Sequence, residues 1–260
     1  MALEPVDLRA LVLATRCLAP EDRGEVLFLG RPRLFFDWQA VQVLAMEFGL
    51  NMEDPGDIPL TPHTLAIRLG FHGAITAGLE GDTDLHIDLT SDIPADLLAR
   101  FSLVVDAGVL YWCFDPGVVL RNVRSMVRQG GSIIHVTAIT GFFGRGAYSV
   151  QPRTLFAFYA SNGGVCDHAI WRTRPRRNLR RIARGLLGLG RVDTGLHGRV
   201  LAPGDVFWGR KHPWRRAGFY PDPSVRATRR IPNDLLGTYV FRIVNDQRSR
   251  GVTLLERGIS

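Results

Sequence analysis

The sequence predicts an α/β protein built around a mostly parallel sheet, and one stretch carries most of that prediction. Residues 101–106 form a short, β-branched run that ends in the carboxylate of Asp106. Residues 132–137 form a second apolar run of strand length. Between them, Asp115 and Pro116 suit the N-cap and first position of a helix, where the missing N–H of proline costs nothing. A strand, a crossover helix and a second strand form the unit of open α/β sheets, whose ligands bind beyond the carboxyl ends of the strands.

The connecting helix has the apolar spacing of a helix that packs on a sheet. Its apolar positions fall on one helical face, which contains Val119, Leu120, Val123, Met126 and Val127. Three arginines fall away from that face, namely Arg121, Arg124 and Arg128. The adjacent Gly130 and Gly131 predict a left-handed C-terminal stop for this helix.

Turn and capping residues separate the other predicted elements. Upstream, we expect a helix at 6–18, a strand at 25–30, a helix capped by Asp37, a helix at 61–69, and strands at 74–77 and 84–88. Downstream, we expect a helix at 152–160, an arginine-rich helix, and closing strands at 236–244 and 251–256. The resulting division is an N-terminal helix (1–24), an α/β core (25–164), an arginine-rich addition (165–235) and the closing strands (236–260).

The composition is that of a globular protein in a reducing compartment. Hydrophobic residues make up 46% of the 260-residue chain, which suits one large α/β domain. The cysteines, Cys17, Cys113 and Cys166, lie far apart, and neither they nor the histidines show metal-ligand spacing. The chain has no secretion-signal pattern and no run of about 20 apolar residues. We therefore expect a soluble, cytoplasmic protein without a metal site.

Positive charge is concentrated in one block of the sequence. The formal net charge is +7, and arginine carries it because Lys211 is the only lysine. From Arg172 to Arg184 the chain has arginines at seven positions and no acid. Such a block suits phosphates, nucleic acid or an anionic membrane surface. A solvated helix face would have the same composition.

Several segments resemble one enzyme superfamily. Residues 101–116 resemble the fourth strand and following loop of class I S-adenosylmethionine-dependent methyltransferases. Residues 120–135 are similar to the next helix, its paired-glycine turn and the fifth strand. Residues 141–152 and 154–163 are similar to a bacterial subgroup associated with glycan and natural-product pathways. The resemblance spans residues 25–164 and implies a Rossmann-like, seven-stranded, mostly parallel sheet of the methyltransferase type, with helices on both faces.

The resemblance also implies a site. The residues that it places beside S-adenosylmethionine are Gly30, Thr76, Glu80, Asp88, Asp106 and Gly108. Those that it places beside the acceptor, and that are the catalytic candidates, are Tyr111, Arg145 and Tyr148.

This sequence departs from the family pattern at several of these positions. The turn after the first strand keeps one glycine and contains Pro32, which has no N–H to donate. Thr76 stands where an acid normally ends the second strand. Tyr111 and Trp112 replace a Glu-His pair, and Arg145 replaces a histidine.

Residue chemistry alone leaves alternatives open at some positions. Asp106 could orient a ligand, or it could make a turn hydrogen bond at the strand end. Tyr111 and Trp112 could stack on adenine or an aromatic acceptor, or pack in the core or a lid. His135 lies inside an apolar strand, so we expect a hydrogen-bonded core histidine rather than a general base.

These observations favour transfer of a methyl group from S-adenosylmethionine to an oxygen or nitrogen of a small, anionic metabolite or glycan precursor. The sulfonium is already activated, so holding the acceptor in line supplies much of the rate. An anionic membrane surface or nucleic acid, bound through residues 172–184, is a further partner prediction. The alternatives are a non-catalytic methyltransferase-like protein that binds a partner, and a pocket with different chemistry.

Overall fold

The framework is a sheet with helices packed on both faces. The computed structural model describes residues 2–52, 54–79, 81–141, 146–173, 200–201 and 235–244. Its strands are β1 (Ala2–Leu3), β2 (Glu25–Leu29), β3 (Arg33–Leu34), β4 (Gly73–Gly78), β5 (Leu85–His86), β6 (Phe101–Asp106), β7 (Val127–Thr140), β8 (Gly164–Thr173), β9 (Val200–Leu201) and β10 (Leu235–Ile243). Its α-helices are α1 (Pro5–Arg16), α2 (Trp38–Glu47), α3 (Pro62–Arg68), α4 (Pro116–Met126) and α5 (Pro152–Ser161).

The main sheet has the strand order of an open α/β fold. In the described part of the chain, the order is β5-β4-β2-β6-β7-β10-β8-β9. The first five strands in this order pair in parallel, whereas β10 runs antiparallel to both β7 and β8. The edge strand β9 has two residues. The other seven strands form the mostly parallel sheet that the sequence predicts, so the predicted fold class is confirmed.

Two apolar cores lie on opposite faces of the sheet. On one face, Val123 of α4 and Phe158 of α5 belong to the same buried cluster as Val104 of β6. On the other, Leu11 of α1 and Val41 of α2 belong to a second cluster. Every residue of β6 is buried because a parallel strand covered on both faces has no solvated side.

Capping residues define several predicted helices. The Asp37 carboxylate accepts a hydrogen bond from Ala40 N at 2.9 Å, and the Asp115 carboxylate accepts one from Val118 N at 3.0 Å. Each cap satisfies one of the first amides of its helix, which have no partner within the helix. The helices predicted at 61–69 and 152–160 are confirmed as α3 and α5.

The predicted end of the helix before β7 is wrong. We expected Gly130 and Gly131 to stop it, but α4 ends at Met126, and Val127 is already extended with φ −85° and ψ 130°. Gly131 instead allows a close approach within the sheet. A Cβ on Gly131 would lie 2.8 Å from both the Ser102 carbonyl oxygen and Val127 Cγ1. Gly131 therefore serves strand packing, whereas Gly130 has the left-handed φ of +79° and open space around it.

Arg124, which the sequence places away from the apolar face of this helix, is nevertheless buried. This side chain is 5% exposed, and its Nε donates a hydrogen bond to the carbonyl oxygen of Asn162 at 3.0 Å. Asn162 is the C-cap of α5. The arginine therefore stabilises the end of α5, because the last carbonyls of a helix lack partners within it.

The strand predicted at 236–244 is confirmed as β10, which pairs with β7 and β8. The strand predicted at 251–256 and the arginine-rich helix lie outside the described residues. None of the described helices is long and apolar enough to cross a membrane.

Candidate functional site

The strand order places a candidate site beyond β2 and β6. From β2 the chain proceeds to β4 and β5 on one side, then returns to β6 on the other. Ligands of open α/β sheets bind at such a reversal, outside the carboxyl ends of the strands. Leu29 pairs with Asp106 at that end. We call residues 30–32 and 107–111 the switch-point edge.

The turn after β2 has few backbone donors available. Gly30 has a φ of +73°, and its N–H donates to the Ala77 carbonyl oxygen at 2.6 Å. Pro32 has no N–H, and Phe35 N donates to the Leu3 carbonyl oxygen at 2.9 Å. The guanidinium of Arg31 forms an exposed ion pair with Asp82. This turn therefore differs from a glycine-rich cradle, whose amides point at a ligand.

Asp106 is an internal hydrogen-bond acceptor. Its side chain is buried, and its Oδ1 accepts hydrogen bonds from the N–H groups of Gly108, Val109 and Leu110 at 3.0, 2.6 and 3.3 Å. Its Oδ2 lies 2.8 Å from His135 Nδ1. Asp106 therefore makes turn hydrogen bonds, which is one of the two roles that the sequence left open for it; the other is to orient a ligand. Its contribution to the switch-point edge is the shape of the backbone at 107–110.

His135 and Tyr159 extend the hydrogen bonds of Asp106 into the core. Both side chains are fully buried, and His135 Nε2 lies 2.6 Å from the Tyr159 hydroxyl. Burial raises the pKa of Tyr159 well above its usual value, and the negative charge of Asp106 adds to this. The structure therefore gives His135 two partners, as the prediction of a hydrogen-bonded core histidine requires.

Thr76 is engaged by an acid that the sequence did not single out. Its N–H and hydroxyl donate to Asp84 Oδ2 at 2.7 and 2.8 Å. His63 Nε2 lies 2.7 Å from the same oxygen. Burial alone would raise the pKa of Asp84, but the hydrogen bonds from Thr76 and His63 hold it below its usual value. Glu80, the other acid near this strand end, lies outside the described residues.

Asp88 is solvent-facing and held in a fixed turn. Its Oδ1 accepts hydrogen bonds from the Thr90 N–H and hydroxyl at 2.8 and 2.7 Å, and its Oδ2 accepts one from Ser91 at 3.1 Å. The bonds from Thr90 lower the pKa of Asp88 below its usual value. Asn122 of α4 holds the same turn by donating to the carbonyl oxygens of Leu89 and Ser91 at 2.9 and 2.7 Å. No local signal in the sequence marks Asn122 for this role.

The two predicted acceptor-side tyrosines are close together. The Tyr111 carbonyl oxygen accepts hydrogen bonds from Ala147 N at 2.7 Å and Tyr148 N at 3.1 Å. Gly146 has a φ of +82°, and a Cβ there would clash with the Tyr111 ring. The loop after β6 is therefore fixed to the loop after β7. Arg145 lies outside the described residues.

Aromatic side chains next to this contact are exposed. The exposed fractions are 56% for Trp112, 86% for Phe114 and 42% for Tyr148. Burial and the charges of Asp106 and Asp88 raise the pKa of Cys113, between the first two, to about 11, which disfavours its thiolate.

The first arginine of the basic block is internal. Arg172 is 2% exposed, and its Nη1 and Nη2 donate to the two carboxylate oxygens of Asp7 at 2.9 Å each. Its Nε donates to Glu4 at 3.1 Å, and Nη1 also donates to Thr238 at 2.7 Å. Arg172 is therefore unavailable to an anionic partner. The arginines at 174–184 lie outside the described residues.

The chain is similar to several solved structures, some of which are described as methyltransferases. One is a SAM-dependent methyltransferase from Archaeoglobus fulgidus, with 11% identity and a TM-score of 0.42 over 92% of each chain. Another is the YcgJ protein from Bacillus subtilis, with 11% identity and a TM-score of 0.42 over 92% of this chain and 97% of that one. A third, StiE O-MT, has 9% identity and a TM-score of 0.41, covering 92% of this chain and 73% of that one.

No protein-family model matches the chain. No curated protein matches it. At these identities and TM-scores the structural likenesses say nothing about the site, and the fold assignment rests on the strand order itself.

Proposed function

We propose that this chain is an S-adenosylmethionine-dependent methyltransferase that binds its cofactor at the switch-point edge. The observation that carries the proposal is the strand order. The reversal between β2 and β6, and the antiparallel β10 between β7 and β8, form the sheet that the resemblance at residues 25–164 implies. A fold alone does not establish chemistry, so the residues at the edge must also suit the cofactor.

The described residues fit the adenine end of the cofactor best. Ile87 and Leu89 are 6% and 5% exposed, and the Asp88 carboxylate between them faces solvent. An apolar floor beside a carboxylate suits an adenine ring and its amino donors. Gly30, directly after β2, has no side chain that would block a ligand from the backbone. The bound cofactor would supply a sulfonium-activated methyl group.

The proposed acceptor is a small, anionic metabolite or glycan precursor that is methylated on oxygen or nitrogen in the cytoplasm. Arg145, the basic block and the subgroup resemblance support this proposal. Tyr111 and Tyr148 would then face it from the joined loops. Their role would be to orient the acceptor for in-line attack, which supplies much of the rate in such transfers.

A second candidate is a methyltransferase-like protein without the cofactor. The turn after β2 favours it. The N–H groups of Gly30 and Phe35 already have backbone acceptors, and Pro32 has no N–H group. Asp84, the described acid near the end of β4, is also committed to Thr76 and His63. Such a protein would use the switch-point edge for a partner or a different ligand.

Calorimetric titration with S-adenosylmethionine and S-adenosylhomocysteine tests the proposal. We expect saturable, micromolar binding to the wild type. Asp88→Asn should weaken it about tenfold, because the charge of one hydrogen-bond acceptor is lost. The control is Asp92→Asn, which removes a neighbouring exposed carboxylate outside the turn and should leave affinity unchanged. Absence of heat and of thermal stabilisation at millimolar ligand would instead support the second candidate.

A further inference from the structure

Three buried residues form a chain of hydrogen bonds from the end of β6, at the switch-point edge, to α5. Asp106 ends β6, His135 lies in β7 beside it, and Tyr159 lies in α5. All three are fully buried. The distances between their polar atoms are 2.8 Å from Asp106 Oδ2 to His135 Nδ1 and 2.6 Å from His135 Nε2 to the Tyr159 hydroxyl. We call these three residues the relay.

The hydrogen bonds of the relay suit one arrangement of protons. The ring nitrogens of His135 have different partners, one of which is Oδ2 of the carboxylate whose Oδ1 accepts the hydrogen bonds of the turn. Burial raises the pKa of Tyr159 well above its usual value, so its hydroxyl keeps its proton and donates it to Nε2. The Nδ1–H of His135 then donates to Asp106 Oδ2, which leaves Oδ1 to accept the three N–H groups of the turn.

The relay is part of a continuous series of contacts around the candidate site. The turn at 107–110 leads to Tyr111, whose carbonyl oxygen binds the N–H groups of Ala147 and Tyr148. That loop leads directly into α5. Tyr159 of α5 returns to His135 and Asp106, and its ring stacks on Phe241 with a centroid separation of 4.2 Å. The relay is therefore connected by direct contacts to both loops at the edge.

We infer that Asp106, His135 and Tyr159 are positioning residues that set the turn at 107–110 and, through it, the affinity of the switch-point edge for its ligand. The inference builds on the proposed function for the identity of the ligand. The effect of the relay on the turn does not depend on which ligand binds. None of the three touches solvent, so each acts through the backbone and not as a catalytic group.

Two matched tyrosine variants separate positioning from general stability. Tyr159→Phe removes the hydroxyl that binds His135 and keeps the ring on Phe241. Tyr239→Phe is the control, because Tyr239 is also fully buried and its hydroxyl accepts one hydrogen bond, from Trp171 Nε1 at 2.8 Å. Each variant loses one buried hydrogen bond, so both should lower overall stability by similar amounts.

The first measurement is amide hydrogen exchange. In Tyr159→Phe, exchange at residues 107–111 should become about tenfold faster, because the loss of one buried hydrogen bond destabilises that turn. In Tyr239→Phe, exchange there should match the wild type. Equal exchange at 107–111 in the two variants would overturn the inference, whether or not the protein binds S-adenosylmethionine.

Two further measurements address the mechanism. The ¹⁵N spectrum of His135 should show a protonated Nδ1 and an unprotonated Nε2 in the wild type. His135→Asn, whose amide nitrogen can replace Nδ1 as donor to Asp106, should retain slow exchange at 107–111, whereas His135→Leu should lose it. A protonated Nε2 in the wild type, or equal exchange in the two variants, would contradict the inference.

If the wild type binds S-adenosylhomocysteine, Tyr159→Phe should weaken binding about fivefold, with Tyr239→Phe unchanged. Equal affinity in the two variants would show that the relay does not set affinity. If the wild type does not bind, the proposed cofactor is wrong, and the exchange experiment still decides the role of the relay.

Discussion

Arg172 is a buried arginine whose three side-chain nitrogens all have oxygen partners on other elements. Asp7 and Glu4 come from the N-terminal segment, and Thr238 comes from β10. Thr238 also donates to Asp7 at 2.6 Å, which closes the network. Because burial desolvates both charges, the pair stabilises the fold only while it is complete. One residue thus joins α1 to two strands of the sheet.

Removal of the Arg172 charge should be costly. Arg172→Met leaves the Asp7 carboxylate buried without its cation, and we expect a loss of about 3–5 kcal/mol in the free energy of unfolding. Arg242→Met is the control, since Arg242 pairs with Asp167 in a half-exposed bridge and should cost about 1 kcal/mol or less. Urea unfolding of both variants measures the difference. Equal losses would show that the buried network contributes no more than a surface pair.

At the scale of elements, the two strands that flank the candidate site are joined at their opposite ends. Arg100, just before β6, donates to the two oxygens of Glu25 at the start of β2, at 2.6 and 3.0 Å. The hydrogen bond from Arg100 lowers the pKa of Glu25 from its usual value of 4.5. This pair fixes the start of both strands, while the relay and the Asp106 turn organise their ends.

The Glu25 pair predicts a specific pH dependence. Because the pKa of Glu25 is lower in the folded state, its contribution to stability is present above pH 4.5 and is lost as pH falls through the folded pKa. The wild type should therefore be more stable than Glu25→Gln at pH 7, and the difference should shrink below pH 4.5. Urea unfolding from pH 7 down to pH 3 measures this. A difference that does not change with pH would contradict the assigned cause.

At the scale of the whole molecule, the α/β plan could be predicted because it depends on local signals. The apolar runs of β6 and β7 and the caps Asp37 and Asp115 are each visible within a few residues. The end of α4 could not be predicted, because the need for Gly131 arises from its contact with Ser102 on a neighbouring strand. Paired glycines after a helix look alike in sequence whether they stop it or pack within a sheet.

The candidate site depends on contacts between distant residues, and the sequence predicted it only in part. Strand ends and the resemblance predict Gly30, Asp88, Asp106 and Tyr111 as site residues, and this stays a prediction. The residues that fix the Asp88 turn and the His135 side chain were not predicted. Asn122 lies 33 residues from Leu89, and Tyr159 lies 24 residues from His135. Arg172 resembled the first residue of an exposed basic block because its partner Asp7 is 165 residues away. Local patterns in one sequence do not show which distant residues pair.

The central claim is that S-adenosylmethionine binds at the edge where the strand order reverses. An amide NMR titration of the ¹⁵N-labelled protein with S-adenosylhomocysteine tests it most directly, because it reports both binding and location. We expect saturable shifts concentrated at residues 30–32, 87–91 and 107–111, with little change at Glu25 and Arg100 on the opposite edge. Shifts confined to other parts of the chain, or none at millimolar ligand, would contradict it.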